Sequence, residues 1–344
     1  MVTEPGEEQA EGREKLMRMV SGGMVSHLLA VATRLKLPDA VGDGERSAEE
    51  LAAAYEMPGA NMTRLLRALA AYEVLAEPAP GRFTVGPVGA LLRSDQEGSL
   101  YARTRIFTDP VMVAAWQRLE FSLRTGRTAF DEIFGTDFFG HLGTEPELSA
   151  LFNASMGQGA QAVAAALSEQ YDFGPFRTVV DVGGGDGTLL AAVLGAHPRL
   201  RGIVYDSTEG AAQAPELLRA ASLDERCTVE TGDFFTAVPE GDVHVLKSIV
   251  HDWDDERVVT LLGHCRRAAP AHGRLLLVEP VLPEAVDGSQ PPPAYPSDLN
   301  MLVNLGGRER TRAEFEGLLA RAGFALHAVR PLGAYYSLVE GAPA

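Results

Sequence analysis

The apolar positions of this chain fall into two periods. Beyond Tyr171, short apolar runs alternate with helical stretches. TVVDVG leads through glycines into TLLAAVLGAHP, and GIVYD leads into EGAAQAPELLRAAS. CTVETGDF stands third, DVHVLKSIVHD leads into ERVVTLLGHCRRAA, and GRLLLVEP is fifth. Runs apolar on both faces and separated by helices predict parallel strands with right-handed crossovers. RAEFEGLLARAG predicts one more helix. FALHAVRPL and AYYSLVEG are close enough to form a hairpin, which makes one strand antiparallel. The expected class is therefore α/β, with a doubly wound, mostly parallel sheet.

Ahead of this half, from Glu14 to about Val163, the period is mostly helical. Ser47 followed by Glu50 predicts a capping box for SAEELAAAY. NMTRLLRALAAYEVL places Leu65, Leu66, Leu69 and Tyr72 on one stripe, and GRFTVGP reads as a short hairpin. Helix, turn, helix and small wing suggest a winged helix. Such a module can bind DNA, with Arg64 and Arg67 on a recognition helix, or serve only for packing and dimerisation. Longer helical patterns run from SLYARTRIF to FNASMGQGAQAVAAAL, and their Ala, Met and Phe stripes suit a core, an apolar pocket or a subunit interface.

In an open α/β sheet, ligands bind outside the carboxyl ends of the strands. Each strand delivers an unusual group there: the glycines Gly183 to Gly187, then Asp206, Gly232-Asp233-Phe234, His251-Asp252-Trp253 and Glu279. The first loop has the pattern DxGxGxG from Asp181 through Gly183, Gly185 and Gly187. Thr188 stands where a dinucleotide fingerprint needs its third glycine, which disfavours a pyrophosphate cradle. An acid at the head of the loop suits a cationic group, such as the ammonium of an amino acid. Asp206 has the spacing of a ribose-binding acid, and Asp233 with Phe234 can pair with and cover an adenine. Ribose, adenine and a cationic amino-acid tail together describe S-adenosyl-L-methionine.

Composition narrows the alternatives. The 344 residues carry 30 Lys and Arg against 47 Asp and Glu, a formal charge of -17 that disfavours nucleic acid as a partner. Two cysteines, Cys227 and Cys265, lack CxxC spacing and read as buried thiols rather than a metal or redox pair. No stretch reaches about 18 uninterrupted apolar residues, and the acidic N-terminus lacks the order of a signal peptide. A cytoplasmic protein with no membrane partner is expected.

The motifs VDVGGGDG, VYD, GDFF, LKSIVHDWDD, VEPVLPE, DLNMLV and GGRERTRAEFEGLLARAGF resemble those of the S-adenosylmethionine-dependent O-methyltransferases of the caffeic acid type and their bacterial relatives in antibiotic biosynthesis. The resemblance runs over nearly the whole chain. It implies a class I methyltransferase, Rossmann-like sheet of seven strands behind a helical, winged-helix dimerisation domain, and an intertwined homodimer. The domains expected are a disordered tail over 1–13, a dimerisation and substrate-lining domain over 14–165, and a cofactor-binding catalytic domain over 166–344.

The resemblance also implies roles. The glycines after Asp181 hold the methionine portion, Asp206 binds ribose, Asp233 and Phe234 contact adenine, and Lys247 lies in the adenosyl site. His251 is the general base, flanked and oriented by Glu279 and Glu309. Phe152, Met156, Met301 and Asn304 sit at substrate or reactive-methyl positions. VYDSTEG departs from the family's usual continuation, and the spacing from DLNML to GGRE is one residue short, which bears on Asn304. The implied reaction moves a methyl group to a hydroxyl, phenolic by preference, of an aromatic small molecule.

Displacement at a sulfonium needs the oxygen, methyl carbon and sulfur in line, and the hydroxyl proton removed. A histidine, with an ordinary pKa of about 6.5, suits that task near neutral pH. A carboxylate on the far ring nitrogen would set its tautomer, with Glu309 as first choice and Glu279 as second. Asp252 either takes part or contacts substrate. Asp254 and Asp255 read as a solvated helix start, and no metal is expected. The Pro-rich segment 285–296 is either a mobile lid or an inert insertion. Relatives that run hydroxylation or pericyclisation are associated with loss of the histidine, which is present here.

Overall fold

Adjacent apolar residues on a buried strand face opposite ways, so each strand feeds two cores at once. That is how the second half of this chain folds. The computed structural model describes residues 5–96 and 98–344. Seven strands form one sheet: β1 (Thr178–Val182), β2 (Arg201–Asp206), β3 (Cys227–Thr231), β4 (Val243–Lys247), β5 (Arg274–Glu279), β6 (Phe324–Leu332) and β7 (Tyr336–Pro343). Their order is β6-β7-β5-β4-β1-β2-β3, with β7 antiparallel to both neighbours and the rest parallel. Val179 and Val245 turn to a core that includes Leu167, Leu190 and Val193. Val180 and Leu246 turn to the other core, with Val258, Leu262, Phe315 and Leu319. Strand order reverses between β1 and β4, which opens a crevice at their carboxyl ends. Cys227 and Cys265 are buried free thiols.

The helices that matter here are α1 (Pro5–Arg34), α2 (Ala48–Ala54), α3 (Gly59–Ala70), α4 (Pro146–Gln170), α5 (Thr188–Ala196), α6 (Ala214–Ala220), α7 (Asp255–Ala268), α8 (Ala294–Asn304) and α9 (Arg312–Arg321). Two compact units divide the chain, 1–110 and 111–344. The sequence reading set the boundary at 165. Helical periodicity cannot reveal that α4 packs against α5 and the sheet, since a core helix looks the same in either unit. Residues 5–13 of the expected tail belong to α1, where Glu, Gln, Ala and Lys are good helix formers and Pro5 suits a first position. Residues 1–4 lie outside the described part.

In the front unit, the Ser47–Glu50 capping box closes in both directions, 3.0 Å and 2.6 Å. Leu75–Ala79 and Arg82–Val85 form the wing, with Arg46–Ser47 as a third short strand. Leu66, Leu69 and Met62 are buried, but Tyr72 lies past the end of α3 and is 47% exposed. The chain turns at Ala71, so the helical stripe does not extend to Tyr72. Arg67 is engaged by the wing residue Glu77 through contacts of 3.0 and 3.1 Å. On α1, Leu16, Met17, Met19, Val20 and Met24 are exposed, and the stretch Gln9–Arg34 is long and apolar enough by composition alone to cross a membrane.

Candidate active site

A glycine loop can follow β1 closely because three of its residues adopt conformations that L side chains avoid. Gly183, Gly185 and Gly187 have φ of 73°, 55° and 81°. A Cβ at Gly183 would stand 2.4 Å from Cδ1 of Ile249, so the loop also presses against the segment after β4. Beneath it, Asp181 is 2% exposed and its Oδ2 has no hydrogen-bond partner among the described residues. Burial, helped by the Asp206 charge, pushes the Asp181 carboxyl up to about 7. A buried carboxylate oxygen lacking a donor fits a ligand that brings an ammonium or hydroxyl. Asp206, at the end of β2, accepts from the Gly185 N–H (2.8 Å) and the Ser207 N–H (2.7 Å). Burial raises its pKa against the pull of those bonds.

Asp233 follows β3 and folds its own turn, accepting from the Phe235 N–H (2.8 Å) and the Thr236 hydroxyl (3.3 Å). Phe234 and Phe235 pack edge-on to Trp253 at 6.1 and 4.8 Å. Lys247 ends β4 with its ammonium 5.6 Å from the Tyr336 ring. Its charge opposes the rise in pKa at both Asp181 and Asp252.

Ser248 then takes a left-handed conformation, φ 56°, unusual for a residue with a side chain. This turn throws Val250–Asp252 into a single 3-10 turn. His251 Nδ1 lies 3.1 and 3.2 Å from the two oxygens of Glu309 and 3.5 Å from Glu279 Oε2. Glu279 is fully buried. Its Oε1 accepts the N–H groups of Ile249 (2.9 Å) and Val250 (2.8 Å), while Oε2 has no hydrogen-bond partner among the described residues. Nδ1 is thus held between two carboxylates, and Nε2 points the other way, with Asp252 Oδ1 3.5 Å from it. Burial opposes a charged ring, but Glu279, Glu309 and Asp252 outweigh it, and His251 titrates well above the ordinary histidine range. Burial also pushes Asp252 up to about 7. The Nδ1, Glu279 and Glu309 donor atoms lie within 4.8 Å of one another, a set that could also coordinate a cation.

Helix α8 contributes more than the sequence reading assigned to it. Ser297 donates to Glu309 Oε1 (2.9 Å), and Asp298 accepts the Glu309 N–H (2.8 Å). Asn304 is fully buried and donates to Asn300 Oδ1 (3.0 Å), which also accepts from the Trp116 indole (2.9 Å). Asn304 Oδ1 has no partner among the described residues. Met301 is buried on the same helix. Phe152 and Met156 are half-buried one turn apart on α4. Phe152 meets Phe139 edge-on, and Phe139 stacks on Trp253 at 5.4 Å. Asn153 donates to the carbonyl of Gly210 (3.1 Å), which ties α4 to the loop after β2.

Two expectations change. Asp255 is not simply solvated: it pairs with the fully buried Arg310 (2.9 Å) and with Arg308 (2.9 Å). Its neighbour Asp254 caps α7 by accepting the Arg257 N–H (2.9 Å). The Pro-rich segment also ends earlier than expected, because Ala294 to Pro296 already form the first turn of α8. Ser297, Asp298, Asn300 and Arg310 were missed. Only the i, i+4 spacing of Asn300 and Asn304 could have signalled any of them.

The sheet order, the glycine loop at the switch point and the acids at successive strand ends define a class I methyltransferase fold. The chain belongs to the O-methyltransferase family: the O-methyltransferase domain matches residues 116–325 and the O-methyltransferase dimerisation domain matches 17–95. The O-demethylpuromycin O-methyltransferase of Streptomyces alboniger is 48% identical, over 99% of this chain and 92% of its own. The solved mitomycin 7-O-methyltransferase superposes with a TM-score of 0.91 at 33% identity, over 98% of this chain and 100% of its own. A neocarzinostatin-pathway O-methyltransferase, solved with S-adenosylhomocysteine and a dihydroxynaphthoic acid, gives 0.78 at 33% identity over 93% and 96%.

Proposed function

We propose that this O-methyltransferase moves the methyl group of S-adenosyl-L-methionine to a phenolic hydroxyl of an aromatic small molecule in antibiotic-type secondary metabolism, with His251 as general base. The observation that carries the mechanism is the His251 ring, pinned at Nδ1 by Glu309 (3.1 Å) and Glu279 (3.5 Å) so that Nε2 is left for the acceptor. The neutral ring would take the acceptor's hydroxyl proton at Nε2, and the carboxylates would stabilise the imidazolium that forms; the cofactor would supply the methyl group, its carbon–sulfur bond breaking as the carbon–oxygen bond forms and the sulfur leaving as the thioether of S-adenosylhomocysteine. The orphaned oxygen of Asp181 suits the cofactor's ammonium, Asp206 its ribose, and Asp233 with Phe234 its adenine. Lys247 borders the adenosyl end. The acidic strand ends suit a sulfonium cation, which the bound methyl donor supplies.

Phe152, Met156, Met301 and Asn304 are the acceptor-side residues in this reading. Asn304, with a buried unpartnered oxygen, can accept from a second polar group on the ring. The hydroxybenzoate and the dihydroxynaphthoic acid in the names of two relatives support an aromatic substrate. The dimerisation domain and the exposed apolar face of α1 support a homodimer built through the front unit. A cytoplasmic location accords with a soluble metabolic enzyme. The test is mass spectrometry of aromatic acceptors incubated with the enzyme and methyl-labelled cofactor. A labelled methyl on a hydroxyl oxygen supports the reading; its absence across phenolic, quinoid and polyketide acceptors would sink it.

A further inference from the structure

Among the described residues, Arg310 is the largest side chain to be fully buried, and the reaction as described does not use it. Its Nη1 donates to the Val250 carbonyl (2.8 Å), and its Nη2 donates to the Trp253 carbonyl (2.7 Å). Those two carbonyls bracket His251 and Asp252. Nε and Nη2 both reach Asp255 Oδ1, at 3.1 and 2.9 Å, and Nη1 also meets the carbonyl of Arg308 (3.3 Å). The backbone of Arg310 pairs with Val281 in a short parallel ladder, two residues beyond Glu279. Glu309 precedes it directly. The three groups that meet at the His251 ring therefore come from three separate segments, and Arg310 touches or adjoins all three.

The loop before it is pressed into the same place. A Cβ at Gly307 would stand 2.0 Å from the His251 carbonyl oxygen and 2.5 Å from the Trp253 nitrogen. Glycine there lets the Glu309 loop lie flat on the His251 turn, and the guanidinium bolts the two together. Lysine could not replace it, because one ammonium on a flexible stem cannot serve carbonyls and a carboxylate that diverge in this way.

We propose that Arg310 is a positioning residue for methyl transfer: it sets the separation of Glu309 and Glu279 from His251 by clamping the 250–255 turn to the 306–311 loop. The inference rests on the reading of His251 as general base, but the clamp itself can be tested without it. The groups facing His251 are Glu279 from β5, Glu309 from the clamped loop and Asp252 from its own turn. Lys247 acts on Asp252, and Asp298 on α8 holds the Glu309 amide. Loosening the clamp draws Glu309 away and returns the ring toward ordinary histidine titration.

The experiment compares Arg310→Lys with the full-length wild type. Expected are an unchanged affinity for S-adenosylhomocysteine, an unchanged acceptor KM, and a kcat lower by roughly 10²-fold, the loss that a misplacement of about 1 Å can cause. The alkaline-rising limb of kcat/KM should move to lower pH. In the [15N]imidazole NMR titration, the His251 signal (assigned by its loss in His251→Asn) should move the same way. A purely structural arginine would lower Tm yet leave kcat per folded molecule and the His251 titration unchanged, and that result overturns the proposal. If Arg310→Lys does not fold, Gly307→Ala displaces the loop from its other side and must give the same downward titration shift. Asp255→Asn, which keeps the carbonyl bonds, must give a smaller shift of the same sign. If His251→Ala stays active, the general-base reading falls, while the NMR shift in Arg310→Lys still decides the clamp.

Discussion

The two ends of the crevice solve opposite problems. At β1 and β2 the protein arranges backbone: three positive-φ glycines, amides turned onto Asp206, and an Asp181 oxygen without a donor. At β4 and β5 it arranges side chains: His251 is held by Glu309 and Glu279, Glu309 is held by Ser297 and Asp298, and the turn is braced by Arg310. One end is left electrically incomplete, so that a cationic ligand completes it. The other is held by several side-chain bonds before anything binds, which under the proposed role of His251 as general base would preorganise it for proton transfer. The first end should therefore respond to substitution in affinity and stability, and the second in rate.

The largest effect belongs to the paired end. His251→Ala should lower kcat/KM by about 10³-fold, within the range of general-base catalysis. Its affinity for S-adenosylhomocysteine by titration calorimetry should stay that of the wild type; a matching loss of affinity would erase the distinction between the two ends. Next comes Glu309→Gln, expected to cost about 10²-fold in kcat, against about 10-fold for Glu279→Gln. Glu309 makes the closer contact with the ring, and Glu279 is partly committed to backbone amides. Equal losses would mean that the two carboxylates act as one.

The pH profile follows from the same cluster. The carboxylates raise the His251 pKa, so the ring is cationic near neutrality and the neutral base appears as pH rises. Activity at saturating cofactor should therefore climb through pH 7 and level off on the alkaline side. A profile falling over that range would contradict the assignment.

The incomplete end gives a smaller and different effect. Asp181 titrates at about 7 in the fold, against about 4 in an unfolded chain. The folded carboxyl thus holds its proton more tightly, and this contribution to stability is present below the unfolded value and lost as pH rises through the folded one. Asp181→Asn should raise the ligand-free Tm at pH 8 by roughly 3–5 °C and leave it almost unchanged at pH 4. Cofactor affinity should fall by about 10-fold. The smallest effect expected is from Asp254→Ala: about 1 kcal/mol of stability from the lost cap, with unchanged kcat.

Much of the incomplete end could be read from the chain, because its chemistry is local. Glycines in DxGxGxG and acids at the ends of apolar runs announce a strand edge without any knowledge of packing. His251 was visible for the same reason. What supports His251 was only half visible. Glu279 ends a strand, but Ser297 and Asp298 reach Glu309 only because α8 begins at Ala294, a start hidden inside a run of prolines. Arg310 was not legible at all: an arginine among charged neighbours reads as surface, and only tertiary packing buries it. Tyr72 fails in the other direction, since the periodicity carried past the residue where α3 ends. The 165 boundary fails because amphipathic patterns say how a helix packs, not against which unit.

The ring cluster at Trp253 gives the molecule a built-in optical probe. The chain has two tryptophans, Trp116 and Trp253, and both belong to the 111–344 unit. Emission during heating or denaturant titration therefore reports the melting of that unit alone, while circular dichroism follows the helices of both units. One probe reading a single unit and one reading the helices of both can then say whether the halves of the protein unfold together or in turn.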